Sequence, residues 1–567
     1  MQTVRRLYLY LMSGISLGVL LVGLNILLTV VLHALGIGRG ELLGGSESDR
    51  QALSLAAALI VVGLLVWSVH WLLVERSLRR DNPQRDAERG AGERALYFTL
   101  VLAVLLVIGV LAGTQLVEEL TSRLFAVPRQ DEFFSTDLGA SLATVVVTGS
   151  AWAYHVAIRQ RDLGAGPLTG AGAWMPRVYL YGAALAGLVL TALNVSTLLS
   201  TGVLALSGRV PDIDLGDVRE RQAAVAIAGI ITWAIVWLGH WWYATRLTRG
   251  TGWRAESERR ARLRVAYFVA AIGSMALATG IFAFMALFGA LTKALGAPES
   301  FAPQDAVEAI AVPLVSLLPW AGAWWLHREW LFVEAREAKD PARMATAERL
   351  NAAVVALIGL AALAGGLAGL LGLLLDALLG GNRTLGDFWK GELAGYLAAA
   401  TIGIVFWLWN WLSLQARRGA APREEADSTV RRAYLLIVVG TTVIASLGSL
   451  AFVLYRLFAS ILNVDIVQNA ASALSAPLGA LIVAAGVAVY HGLALRRDQA
   501  LRADAASAEP TEPAAPEAAA DSAGAPAPAR RLLVLTGPSS TDLDATVEAI
   551  RAALPPELSL EDSPPED

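Results

Sequence analysis

The chain has 567 residues, of which 56% are hydrophobic and only 17% charged, a balance far more apolar than a soluble domain of this size requires. It contains no cysteine, which excludes disulfides, thiolate metal sites and cysteine nucleophiles. The formal net charge of −4 carries little information by itself, because the charges segregate along the chain.

Apolar stretches of about 20 residues suffice to cross roughly 30 Å of hydrocarbon at 1.5 Å per residue. Twelve of them occur, near residues 8–33, 52–74, 97–120, 139–158, 178–205, 222–245, 265–292, 309–327, 351–375, 393–415, 433–457 and 472–495. The first follows Arg5 and Arg6, is too long for a signal-peptide core and lacks a small-residue cleavage site, so it reads as a retained span. Connections after even-numbered spans are rich in Lys and Arg, whereas those after odd-numbered spans are acidic. The positive-inside bias therefore predicts a multi-pass protein of the cell membrane with both termini in the cytoplasm.

The spans repeat. WSVHW, WLGHW and WLWNW each close a long apolar segment, and their central residues His70, His240 and Asn410 are spaced 170 apart. A second polar position is read at His155, Ala323 and His491, each step being 168. The odd spans open on a basic residue leading to Tyr8, Tyr97, Tyr179, Tyr267, Asn351 and Tyr434. Repeats of this kind decide the fold class: an all-α polytopic bundle of three parallel four-span units, 1–165, 166–335 and 336–498. Parallel repeats are related by an axis along the membrane normal, unlike the inverted repeats of many transporters.

The linkers, such as RSLRRDNPQRDAERGAGER from Arg76, read as solvated helix extensions and turns. Residues 499–529 are dense in Ala, Pro and Glu and are expected to be a disordered linker. Residues 530–567 form a small tail in which RRLLVLTG suits a strand and a helix begins near Thr541. Its TGPSST turn lacks the Lys of a phosphate loop, so nucleotide binding there is rejected.

Candidate chemistry concentrates in one layer, His70, His155, His240, Asn410 and His491, toward the cytoplasmic ends of the even spans. No Asp, Glu, Lys or Arg stands near mid-membrane in these spans, although pumps and coupled transporters commonly carry such groups. Three readings of the layer were open: an interfacial belt shared with the Trp residues, an interior network bonded to Tyr of neighbouring spans, and axial haem ligation. Ala323 and Asn410 count against the last. At the outer ends, His33, Arg123, Lys293 and Asp376 share nearly the same repeat position and read as snorkelling helix ends. Asn25, Gln115 and Asn194 are candidates for interhelical hydrogen bonds, the glycines of the ninth span for close helix contact, and Pro313 and Pro319 for a bend.

The opening RRLYLYL, followed by a span that ends WSVHW and then basic residues, resembles the bacterial membrane family known as domain of unknown function 5671. The resemblance covers about Arg5 to Arg497 and departs at Asn351, Ala323 and Asn410. It implies a polytopic membrane domain and supplies no substrate, cofactor or catalytic residue. With no HExxH, Walker sequence or paired membrane carboxylates, the expectation is a non-enzymatic scaffold or sensor. A carrier or channel for a small or lipid-like solute is the alternative, and a b-type haem protein a remote one. No metal, cofactor or nucleic acid is expected; the partners expected are membrane lipid and a protein at the cytoplasmic face or tail.

Overall fold

The computed structural model describes residues 2–38, 46–78, 85–124, 137–164, 166–208, 216–301, 303, 305–337, 341–383, 386–462, 469–508 and 550. The regular elements among them are helical. Unit 1 comprises α1 (Gln2–Ala34), α2 (Ser46–Ser77), α3 (Arg85–Arg89), α4 (Gly92–Leu124) and α5 (Leu138–Gly164). Unit 2 comprises α6 (Gly170–Leu206), α7 (Gly216–Arg249), α8 (Trp253–Arg259), α9 (Arg262–Leu295) and α10 (Val312–Glu337). Unit 3 comprises α11 (Pro341–Leu378), α12 (Phe388–Ala420), α13 (Pro422–Asp427), α14 (Thr429–Ile461) and α15 (Ala470–Ala508). Twelve of these helices are long and apolar enough to cross a membrane. A helix satisfies its own backbone, which is why long apolar runs adopt it where no water is at hand.

The packing repeats as the sequence does. In each unit the first two spans, α1 with α2, α6 with α7 and α11 with α12, form a tight hairpin. The third span of one unit then packs against the first hairpin of the next: α4 against α6 and α7, and α9 against α11 and α12. Glycines set the hairpin spacing. A Cβ at Gly63 would meet the backbone of Leu20 at 2.6 Å, and one at Gly187 that of Trp237 at 2.7 Å. In the ninth span Gly359 and Gly366 lie against the α12 backbone at Phe406–Trp407 and Tyr396–Ala400, whereas Gly365 faces open space. This is small-residue packing, in which contact between backbones replaces the hydrophobic drive that lipid removes.

Several local expectations change. Span eight opens on a π-helical turn, Val307–Ala311, ahead of Pro313, and carries Pro319 inside α10. Asn25 bonds across helices, its Oδ1 accepting from Thr144 at 3.1 Å, but Asn194 donates within its own helix to the Leu190 carbonyl at 2.7 Å. Interhelical polar contacts come instead from Thr114 with Thr232 at 2.8 Å, and from Ser196, which donates to the Ser316 carbonyl and accepts from Trp320, both at 2.8 Å. The final helix continues to Ala508, so the tract expected to be a disordered linker from 499 begins as helix. The tail strand and the helix near Thr541 lie outside the described residues.

Candidate functional site

At the end of the bundle where odd spans begin and even spans finish, each unit builds the same cluster. The third span presents Arg-x-x-Tyr on one face, since residues three apart are neighbours on a helix: Arg94 with Tyr97, Arg264 with Tyr267, Arg431 with Tyr434. The fourth span presents a histidine and, two turns later, a carboxylate: His155 with Asp162, His327 with Glu334, His491 with Asp498. Tyr97 bonds His155 Nε2 at 3.1 Å, Tyr267 bonds His327 Nε2 at 3.0 Å and Tyr434 bonds His491 Nε2 at 3.4 Å. The member in unit 2 is therefore His327 and not Ala323. Ala323 contributes only its carbonyl, which accepts from His327 Nδ1 at 2.8 Å. The even 168-residue step was a coincidence of loop lengths, because the Tyr–His separation varies from 58 to 60 to 57 residues across the units.

Each of the five histidines at this end, His70, His155, His240, His327 and His491, uses both ring nitrogens. Nδ1 faces the carbonyl four residues back, at Val66, Ala151, Val236, Ala323 and Val487, over 2.7–3.0 Å. A carbonyl only accepts, so Nδ1 carries the proton and Nε2 accepts from the tyrosine hydroxyl. The neutral imidazole is thus fully satisfied, and the nitrogen lone pair that a haem iron would need is engaged. Among the described residues no group of three or more His, Asp or Glu is arranged to hold a metal.

His155, His327 and His491 are buried, as are Tyr97, Tyr267 and Tyr434, so these members face the bundle interior. The second-span histidines sit further out and half-buried: His70 meets Tyr8 at 3.3 Å and His240 meets Tyr179 at 3.1 Å. The Trp residues divide similarly. Trp71, Trp241 and Trp411 are buried against the inner tyrosines, with ring centroids 5.6, 4.9 and 5.3 Å apart. Trp174, Trp242, Trp325 and Trp409 face outward, where amphipathic rings suit a membrane interface.

The arginines close each cluster. Arg94 donates to Asp162 Oδ2 from Nε at 2.8 Å and Nη2 at 2.6 Å, and to Tyr10 from Nη1 at 3.1 Å, with both charged side chains buried. Arg264 pairs with Glu334, its Nε donating at 2.9 Å, and Arg431 with Asp498 at 2.7 Å. A second set ties the first span to the short linker helices: Arg6 to Glu88 at 2.9 Å, Arg177 to Glu258 at 2.8 Å and Arg349 to Glu425 at 2.8 Å. The linkers expected to be solvated are in this respect structural, with Glu258 and Glu425 buried. The sequence signal that would have found these groups is the shared register, Arg three before the opening Tyr and Asp or Glu seven after the layer His.

Unit 3 departs at its first hairpin. Where Trp152 donates to Tyr179 at 2.7 Å between units 1 and 2, the equivalent atoms Trp324 Nε1 and Asn351 Oδ1 are buried with no partner among the described residues. Asn410 replaces histidine and donates to the Phe406 carbonyl at 2.7 Å. At the opposite end of the bundle, His33 contacts Asp137 at 2.6 Å, Arg123 pairs with Glu119 at 2.9 Å, and Asp376 is fully buried, accepting from the Arg383 amide at 3.0 Å. Asp376 is therefore not a snorkelling group.

Twelve apolar helices, joined in three like units and locked at one end by buried Arg–carboxylate and Tyr–His contacts, define a multi-pass membrane protein of repeated construction. The chain belongs to the family described as Domain of unknown function (DUF5671), which matches residues 6–150, 177–322 and 349–506, one stretch per unit. No curated protein and no solved structure matches the chain.

Proposed function

We propose that this protein is a non-catalytic scaffold or sensor of the cell membrane, oriented with both termini in the cytoplasm. The observation that carries the reading is the commitment of the repeated polar groups. Arg94, Tyr97, His155 and Asp162, and their counterparts in units 2 and 3, bond one another. A catalyst needs a nucleophile, acid or base free to meet substrate, and a coupled carrier needs an ionisable group that can exchange its partner. Groups spent on holding spans together serve neither purpose and suit a rigid platform. The basic connections at that end favour an anionic membrane surface.

The test is reconstitution of the purified full chain in sealed vesicles with a panel of ions, sugars, amino acids and amphiphiles. Vesicles that stay tight, combined with a specific protein captured in the native membrane, support the scaffold. Flux above that of empty vesicles, lost on filling the bundle interior, overturns it in favour of a carrier.

A further inference from the structure

A cavity of about 680 Å³ lies between units 1 and 2, walled by α4, α5, α6, α7 and α8. It runs from Arg159 and Arg254 at the locked end to Gly109, Val145 and Thr232 within the spans. Arg159 to Val145 is about 20 Å along a helix at roughly 1.5 Å per residue. The deep part is apolar, and its volume falls within the roughly 300–1,000 Å³ typical of small-molecule sites.

The mouth carries Arg159, Arg177 and Arg254 against one acid, Glu258. Glu258 is already engaged by Arg177 at 2.8 Å and by the Tyr181 hydroxyl at 2.5 Å. Arg254 makes a long bond, 3.4 Å, to Gln160 and lies 5.9 Å from the Trp253 ring. Arg159 is 3% exposed, and of its donors Nη2 alone finds an acceptor, the Gly172 carbonyl at 2.9 Å. Its Nε and Nη1 are buried without a partner among the described residues. A buried guanidinium with unused N–H groups is costly unless something accepts from it.

The repeats supply an internal control. Four residues after the layer histidine, where unit 1 has Arg159, units 2 and 3 have Leu331 and Leu495, so the fold does not require a cation there. At the junction of units 2 and 3 a phenylalanine projects into the cavity's counterpart. Phe406, which stands where unit 2 has Val236, packs 5.7 Å from the Trp324 ring and 3.4 Å from a Cβ built on Gly280. Those positions correspond to Trp152 and Val110, both lining the open cavity. The first junction thus combines a smaller side chain with an arginine of which Nε and Nη1 have no acceptor among the described residues.

We infer that this cavity binds an anionic glycerophospholipid of the surrounding bilayer, its phosphate accepting from Arg159 and Arg254 and one acyl chain filling the apolar slot. Arginine matches a phosphate through two N–H groups at once. Trp242 and Trp253 at the mouth place it at the level where headgroups lie. The site goes beyond the scaffold reading and is tested without reference to flux or partner capture.

The experiment is native mass spectrometry of the delipidated full chain in non-ionic detergent. It is titrated with phosphatidylglycerol, with phosphatidylcholine of the same chains, and with oleate. One phosphatidylglycerol should bind at least about tenfold more tightly than phosphatidylcholine. Arg159→Leu, which installs the residue of the other two units, should weaken phosphatidylglycerol roughly 10- to 100-fold, the loss of one or two charge-assisted hydrogen bonds, and weaken phosphatidylcholine, whose phosphate is the same but whose choline cation opposes the arginines, by a smaller factor. Val236→Phe should abolish the bound lipid by filling the slot, and keeps the test alive if Arg159→Leu does not fold. Equal binding of both phospholipids that neither substitution alters would overturn the inference. Oleate displacing phosphatidylglycerol at equal concentration would overturn the phospholipid assignment.

Discussion

The pair Arg94–Asp162 offers a test of how the locked end contributes to stability. Arg94 is fully buried and Asp162 is 3% exposed. Asp162→Asn keeps the shape of the side chain but removes the charge that accepts two guanidinium bonds, at 2.6 and 2.8 Å. Glu75, 3.6 Å from Arg94 and 23% exposed at its side chain, is a further carboxylate paired with it and is partly screened by solvent. Removing one partner of a buried pair typically costs about 3–5 kcal/mol, mainly because the other charge is left in a medium that cannot solvate it. With Glu75 nearby, the lower half of that range, roughly 3–4 kcal/mol, is expected. The double variant Arg94→Met/Asp162→Leu removes both charges of the pair and should recover much of the loss; set against the singles Arg94→Met and Asp162→Leu it should give a coupling energy above about 2 kcal/mol. Arg161→Gln, which removes a pair from an arginine 52% exposed, should cost only about 0–1 kcal/mol. Tryptophan fluorescence of the detergent-solubilised chain under increasing denaturing detergent measures each of these variants. A loss below about 1 kcal/mol for Asp162→Asn, or a double variant as unstable as the sum of the singles, would refute the argument.

Three further outcomes follow from the packing. Gly359→Val drives a side chain into the α12 backbone at Trp407 and should destabilise by about 1–3 kcal/mol or more; Gly365→Val, facing open space, should stay within about 0.5 kcal/mol in the same unfolding measurement. His327→Leu strands the hydroxyl of Tyr267, itself 3% exposed, at about 1–3 kcal/mol, whereas adding Tyr267→Phe removes both partners and should restore most of the stability. If His327→Leu alone is silent, the unit 2 cluster has been misassigned. Because the chain has no cysteine, single cysteines report orientation without background: Asn382→Cys should react with an impermeant maleimide on intact cells and Arg260→Cys only after the membrane is opened, the reverse pattern contradicting cytoplasmic termini.

The sequence by itself determined the spans, their number and the threefold construction. Hydrocarbon thickness fixes how long an apolar helix must be, and a copied unit leaves copied motifs such as WSVHW and WLGHW, both of which can be counted along a chain. It also singled out four histidines and the opening tyrosines that they bond. It missed His327 because spacing counts residues, while the contact depends on where two helices meet after loops of unequal length. It missed the inward role of Glu258 and Glu425, because charge in a polar linker looks solvated until a neighbouring arginine is placed beside it. Asp376 read as a snorkelling end until its burial was seen. The cavity was legible only in three dimensions. Val236 and Phe406 are both apolar span residues in a linear reading, and Arg159 is one more cation near a helix end. Which volume is filled, and which guanidinium keeps donors without an acceptor, are properties of side chains from different units meeting in space, and only the tertiary packing decides them.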